Sequence, residues 1–555
     1  MKKIKILSVN LFAFFALLML SACTDLDLHP EGGIMDDDQL KETTNAIPDR
    51  ANATLAGMYS WLGTSYALYF DGMFSTARAD DFGYPAVCLS TDLNSGDMVN
   101  IVSGYDWFTV SLDYSDRTPN YANPYIRMGL FYKILYSAKL TLDMMPDSIS
   151  DPTLLAMVGQ AKAMRAFAYL SLAPYFQFKY KGNEDKPSVP MLLDNVDYRN
   201  NPRVPLSQLY EAIIQDLTDA IADLDGFVRS NKGQIDQQVA YGLRARAYLY
   251  MEEWDKAAAD ADMAMAGYTP YSKEEISMPG FDDAKDHNWM WAAIIPSGIA
   301  QDYLATWPSQ IGSFSGNAYV PYAAIYRCIN KLLYDKIPTS DVRRNWWLGA
   351  NLRSPNLLGL TWTDPITGHV YAGYDIPLAV IPDVKQPMQA YTNIKFGQRA
   401  GIGSPYNDGD WCMMRVEEMI LIKAEATAKA GNLPDGKQIL EDFVRNYRNP
   451  SYTSVATDVN SFSDEVFFQR RIEFWGEGFA MADKMRLGKN IVRYHPSVAT
   501  NVPELYQFNI ASTDPWLLLR FVQGETSNNS AIVQNEGSTQ PIQGDGATLL
   551  DGVTD

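Results

Sequence analysis

The chain has 555 residues, 47% of them hydrophobic and 20% charged, which is ample material for a large core and excludes a disordered or fibrous protein. Its 66 acids against 46 Lys and Arg give a net charge of −20 at pH 7, which argues against nucleic acid as a partner and against an electrostatic grip on anionic lipid. Four cysteines, spaced far apart, exclude a disulfide scaffold.

Lys2, Lys3 and Lys5 precede an apolar run over residues 6–20, and Leu20-Ser21-Ala22-Cys23 follows. A positive head, an apolar body and small residues before a cut predict a secretory signal over 1–22. A cut directly before Cys resembles the bacterial lipoprotein lipobox, which implies lipidation of Cys23 and a polar tether over 23–49. No later segment reaches the roughly 18 apolar residues of a membrane span, so anchoring would rest on the lipid.

The expected body covers 50–537. Helices are predicted over 51–62, 125–145, 154–178 and 207–224; the last has Leu209, Ile213, Leu217, Ala220 and Leu224 on one face and Ser207 as its N-cap. Between 63 and 120 aromatic residues sit among Gly, Asp, Asn and Ser without a sustained period, as in long functional loops. Residues 241–269 carry Ala245, Tyr248, Ala257, Ala261 and Ala264 at the small and aromatic positions of a tetratricopeptide-type hairpin, with weaker copies near 165–169 and 423–427. Residues 271–400 return to Trp, Tyr, Pro, Gly and Asn and predict a loop-rich lobe, with helical period only near 323–334. Core helices are expected over 401–537. Residues 538–555 form a polar, Gly-rich tail expected to be poorly ordered.

Two segments organise this body. Residues 411–431, apolar nearly all round, predict a buried helix whose Arg415, Glu418 and Glu425 need charged partners. Residues 470–488 supply them: Arg470, Glu473 and Glu477 share one helical face, and Ile472, Trp475, Phe479 and Ala482 another. Gly476 and Gly478 each cost roughly 1 kcal/mol in a helix and predict a bend or a close backbone approach. The run Arg470, Arg471, Glu473, Glu477, Gly478, Asp483, Arg486, Gly488 resembles the RRxELxxEGxRxxDLxRxG signature of the SusD/RagB family, with Ala480 and Lys484 departing from it. Arg415, Glu418, Leu421, Ala424, Glu425 and Ala426 resemble its RxxExxLxxAEA helix, and residues 520–535 its closing pattern, with Val522 in place of Pro. The resemblance implies a mainly α, SusD-like fold with tetratricopeptide-type hairpins, loop-rich inserted lobes and little β structure. It also implies a lipid-anchored protein of the outer-membrane surface that binds a nutrient and hands it to a TonB-dependent SusC-like transporter. The alternatives are RagB-like peptide capture and a helical-repeat adaptor of the cell envelope.

Catalysis finds little support. His29, His287, His369 and His495 form no paired metal spacing, and no GxSxG, GxGxxG or Walker loop occurs. No cofactor is implied, and the acidic pairs fit no calcium loop, so no metal is expected. Sugar binding fits better, because aromatic rings on Gly/Asn/Asp-rich loops offer stacking faces beside polar groups, and 33 Tyr and 12 Trp concentrate in the two loop-rich regions. The expected ligand is an oligosaccharide. The resemblance places a stacking aromatic near Trp107 and Tyr105, with Tyr303 and Trp307 from the later lobe and Arg78 and Asp81 as hydroxyl partners; Trp254 and Trp475 are assigned to packing.

Overall fold

A computed structural model describes residues 37–47, 49–64, 78–101, 106–194, 196–297, 304–317, 319–323, 325–364, 366–375 and 388–555. Twelve helices of eight or more residues run through it in chain order. They are α1 (Asp37–Ala46), α2 (Asp49–Ser60), α3 (Tyr84–Ser95), α4 (Ala122–Asp143), α5 (Pro152–Phe176), α6 (Leu206–Asp223), α7 (Gln237–Met251), α8 (Trp254–Met265), α9 (Val416–Lys429), α10 (Leu433–Tyr447), α11 (Val459–Glu473) and α12 (Ala480–Leu487). The fold is mainly α. Among the described residues, β structure amounts to four short antiparallel ladders: Met98–Asn100 with Arg327–Ile329, Pro187–Pro190 with Arg203–Pro205, Trp289–Ala293 with Trp411–Arg415, and Thr361–Thr363 with Val370–Ala372. No helix of the described residues is long and apolar enough to cross a membrane.

Local chemistry sets the helix ends. Asp151 accepts from the backbone of Thr153 and Leu154 with Pro152 at the first position, Asp236 caps α7 through Val239, and Asp458 with Ser461 forms a capping box on α11. Ser207 does not cap α6. That helix begins one residue earlier at Leu206, after Pro205, because Lys186 and Glu184 supply acceptors to the N–H groups of Leu206 and Ser207.

Helices α4 to α10 pack each on the next, so α5/α6, α7/α8 and α9/α10 form three successive hairpins. The fragments near 165–169 and 423–427 fall on α5 and α9, the first helices of the outer two hairpins. No single hairpin can bury its apolar face alone, and stacking joins them in one core. Ala245, Ala257, Ala261 and Ala264 are fully buried there, where small side chains let α7 and α8 approach closely.

Two expectations on the organising segments need correction. Residues 411–415 are a strand, and the helix starts only at Val416. A short continuous apolar run does not distinguish a buried strand from a buried helix, and the ladder with Trp289–Ala293 decides it. Residues 470–488 are two helices, since α11 ends at Glu473 and α12 begins at Ala480. Gly476 and Gly478 turn the chain between them at φ +84° and +85°. A Cβ on Gly476 would lie 2.5 Å from the Phe396 ring, and one on Gly478 2.9 Å from the Cys88 Cα. Bend and close approach thus coincide at this turn.

Helix α3 passes under that turn. The Gly478 N–H donates to Asp92 Oδ2 at 3.2 Å. Burial, reinforced by the Asp97 charge, pushes the Asp92 carboxyl up to about 8 despite that hydrogen bond. The folded state then holds a proton that the unfolded chain releases near pH 4, so stability falls as pH rises from about 4 to about 8. Asp92→Asn removes the titration. Its stability advantage over wild type is expected to grow by on the order of 1 kcal/mol per pH unit across pH 5–7.5, read by urea unfolding; parallel profiles for the two proteins would refute this.

The polar C-terminal segment is placed against the body, contrary to the expected disorder. Asp551 is 2% exposed and accepts from Arg471 Nη1 at 2.9 Å and from the N–H groups of Val553 and Thr554. Upstream, Gln540 donates to the Asp113 carbonyl and Gly544 N–H to that of Gln507. The ion pair with Arg471 fastens the segment where hydropathy predicts none. Asp551→Ala is expected to cost about 2 kcal/mol and to expose the segment after residue 537 to limited proteolysis, while the body stays intact because Arg471 keeps Asp97 at 2.6 Å. An unchanged cleavage pattern would count against that role.

Candidate functional site

A buried ion-pair frame fixes the loops that carry the candidate site. Glu473 accepts from Arg343 at 3.0 Å, from Arg415 at 2.7 Å and from Arg448 at 2.7 and 2.8 Å. Glu477 takes Arg415 and Lys395, Glu417 takes Arg448, and Glu418 and Glu425 pair with Arg246 and Arg486. The expected shared network between the two organising segments is therefore present, and it reaches into 271–400 through Arg343 and Lys395. Lys484, where the signature has Leu, donates to Asp97 at 3.0 Å and to the Ser95 carbonyl. This departure adds an ion pair, joining α12 to the end of α3.

Beyond α3, the ladder of Met98–Asn100 with Arg327–Ile329 brings the later lobe to the early loops. Arg327 donates to Asp106 Oδ2 and Asn100 Oδ1 at 2.6 Å each and spans the Gln310 carbonyl at 2.9 Å, with its guanidinium over the Phe108 ring at 5.3 Å. Asp106 and Phe108 are both fully buried. Trp107 lies between these two anchors and is only half-buried. The Arg78 guanidinium sits over the Trp107 ring at 5.1 Å and is held by Asp80 through two hydrogen bonds of 2.9 and 3.0 Å. Burial raises the Asp80 carboxyl above the usual range, and the Arg78 hydrogen bond works against that rise. The result is an aromatic edge and a cation whose rotamers are fixed before any ligand arrives, which lowers the ordering cost of binding.

A hollow of about 490 Å³ lies nearby, lined among others by Tyr59, Leu62, Gly63, Asn231, Gln234 and Ile294. Packed protein lies between its wall and the corner: Gly83, whose Cβ would meet the Leu62 carbonyl at 2.5 Å, and Phe82, whose ring meets Phe108 edge-on at 6.1 Å.

Of the expected ligand-binding residues, Arg78 and Trp107 are brought together. Asp81 is buried at 1% exposure, on the turn between them and α3, so it faces the interior and is not a surface partner for a hydroxyl. Trp307 is a correction: it is 2% exposed, donates Nε1–H to the Gly409 carbonyl at 3.0 Å and packs edge-on against Trp411 and Phe396, leaving no ring face for a sugar. Tyr105, Tyr303 and the lipidation residue Cys23 lie outside the described residues. Trp475, assigned to packing, is 1% exposed and donates to the Asp97 carbonyl. Trp254 packs half-buried on the core. Sequence reasoning missed Asp80, adjacent to a chosen residue, and Asp106 and Arg327, whose pairing spans 221 positions and has no local signal. The described cysteines Cys88, Cys328 and Cys412 are buried free thiols.

Comparison with known proteins bears on the fold that carries these residues. The family model described as "SusD family" matches residues 382–537, which contain α9 to α12 and most of the ion-pair frame. A SusD-like protein of Formosa agariphila is 21% identical over 525 residues, covering 88% of this chain and 93% of the relative. The crystal structure of a SusD-like carbohydrate binding protein from Bacteroides vulgatus superposes with a TM-score of 0.70 at 22% identity, covering 88% of this chain and 98% of that one. A laminarin binding SusD-like protein superposes with a TM-score of 0.56 at 16% identity, covering 88% and 99%. At these identities the superpositions establish the fold.

Proposed function

Because the chain belongs to the SusD/RagB family, we propose that it captures an oligosaccharide at the Arg78–Trp107 corner and passes it on chemically unchanged. The receiver is a TonB-dependent SusC-like transporter of the outer membrane, and a lipidated Cys23 holds the protein at the cell surface. It is a binding protein, not an enzyme. The observation that carries the ligand class is the pinned pair itself. A half-buried indole between two buried anchors, with a guanidinium held by Asp80 over one ring face, sets an aromatic surface for sugar C–H groups beside hydroxyl-seeking donors. A strong net negative charge disfavours acidic polysaccharide and suits a neutral glycan.

Calorimetry of the purified protein against neutral glycans, laminarin among them, and against a peptide mixture tests the reading. Binding of one glycan class with no release of reducing ends is expected. Peptide binding with no glycan binding would move the assignment to RagB-like capture. Binding of neither would leave the adaptor. Cys23→Ser is expected to shift the protein from the membrane to the soluble fraction.

A further inference from the structure

A cleft separate from the Trp107 corner lies between α3, α5 and α12, and the proposed sugar capture makes no use of it. Tyr84, Thr91, Arg117, Ser171, Tyr175 and Arg246 supply its polar lining. Its volume is about 60 Å³. A single water needs roughly 10–15 Å³, so several waters or one small ion fit.

At its Arg117 end two buried cations share one contacting carboxylate. Arg117 and Arg127 are each 1% exposed and flank a single buried carboxylate, Asp116, at 2.8 and 3.0 Å. Their other side-chain acceptors are neutral: Asn94 Oδ1 accepts from both, at 3.3 and 3.1 Å, and the Ser111 hydroxyl from Arg127 at 3.5 Å. Arg493 brings a further cation to the same place, since its guanidinium and that of Arg117 lie over the Tyr114 ring at 5.1 and 4.9 Å. Arg493 and the nearby Arg520 donate to backbone carbonyls, those of Leu93 and Leu112 and those of Pro515 and Leu518, and among the described residues neither forms a salt bridge. Tyr175, which lines the cleft, carries the Arg127 guanidinium over its ring at 5.5 Å.

Unmet donors tell the same story. Among the described residues, Arg117 Nε, Arg127 Nε and Nη1, Arg493 Nε and Arg520 Nη2 are buried without a hydrogen-bond partner. Buried donors are almost always satisfied, and an uncompensated buried cation is strongly destabilising. Asp113 lies near Arg493 and Asp514 near Arg520, but Asp116 alone contacts both Arg117 and Arg127, so their two charges meet one carboxylate, and the adjoining cleft has room for a second anion.

We infer that the Arg117 end of this cleft binds a small monovalent anion, a halide or a short carboxylate, whose charge balances the Arg117–Asp116–Arg127 cluster. Arg117 lines the cleft and makes the direct contact, and Arg127 contributes its charge from behind Tyr175. The volume admits acetate or bromide and rejects an anion the size of gluconate.

Thermal melting of the full protein at constant ionic strength, with sodium gluconate replaced stepwise by sodium bromide or sodium acetate, tests this. A saturable rise in Tm of about 2–3 °C at an anion concentration near 100 times its Kd is expected. Arg117→Gln is expected to abolish the rise. A rise with bromide alone assigns a halide, and a rise with acetate alone a carboxylate. Crystals of the wild type soaked in bromide should show an anomalous peak against the Arg117 guanidinium, which keeps the inference open to refutation if the variant fails to fold. Equal Tm in all three salts, or a bromide-soaked cleft holding water alone, overturns it.

Discussion

Glu473→Ala is expected to destabilise the protein by about 3–5 kcal/mol, the range for removing one partner of a buried ion pair. Glu473 is fully buried and accepts from Arg343, Arg415 and Arg448 together. Each of those cations keeps a second carboxylate, in Asp341, Glu477 and Glu417 respectively, which holds the loss within that range. What disappears is the one group that ties the later lobe, the strand before α9 and the end of α10 to the end of α11. Burial opposes its charge, but Arg448 and Arg415 outweigh burial and hold the carboxyl well below the usual glutamate range. The folded state therefore stays ionised where the unfolded chain takes up a proton. This contribution is fully present above about pH 4.5 and is lost as pH falls toward the lowered folded value. Glu473→Ala should consequently be less stable than wild type at pH 7, and its stability should fall less steeply on acidification. A Tm within 1 °C of wild type at pH 7 would show that the frame does not hold the fold.

The frame was the most legible part of the chain because its chemistry is local. Arg415, Glu418 and Glu425 stand in an otherwise apolar segment, and a buried charge demands a partner wherever the chain runs. The demand is local but the identity of the partner is not: Glu418 meets Arg246 on α7, 172 positions away. The break at Gly476 and Gly478 was legible as a bend. The cause of the second glycine, the Cys88 backbone of α3, was not. Residues 411–415 read as helix because four apolar positions before Arg415 carry no period of their own, and only the partner strand Trp289–Ala293 settles their state. The aromatic loops were hardest. Nothing in the neighbourhood of Trp307 distinguishes it from Trp107, and the difference lies in Gly409, whose missing side chain lets the Trp307 ring close against the backbone. Asp551 reads as one acid in a polar tail, and only the placement of Arg471 gives it a partner.

Trp107→Ala is expected to weaken glycan binding about 30-fold, the equivalent of about 2 kcal/mol, while leaving Tm within about 2 °C of wild type. The two effects separate because of where the stability resides. Asp106 and Phe108 are the buried anchors of this turn, and Arg327 holds Asp106 whether or not the indole is present. Truncating Trp107 removes a half-exposed ring and leaves Arg78 on Asp80. Arg78→Ala should act on the same site from the other side, removing the guanidinium and freeing the indole to change rotamer. If ring and cation contact one ligand, the losses in the double variant will be less than additive, since either single change already disturbs the pair. Trp307→Phe supplies the contrast: it forfeits the hydrogen bond to Gly409 and opens the packing against Trp411, so it should lower Tm and change glycan affinity only through stability. Calorimetry with the glycan bound by wild type decides the matter. A Trp107→Ala protein that is folded and retains wild-type affinity would remove the corner from the binding surface and shift attention to the hollow beside Tyr59.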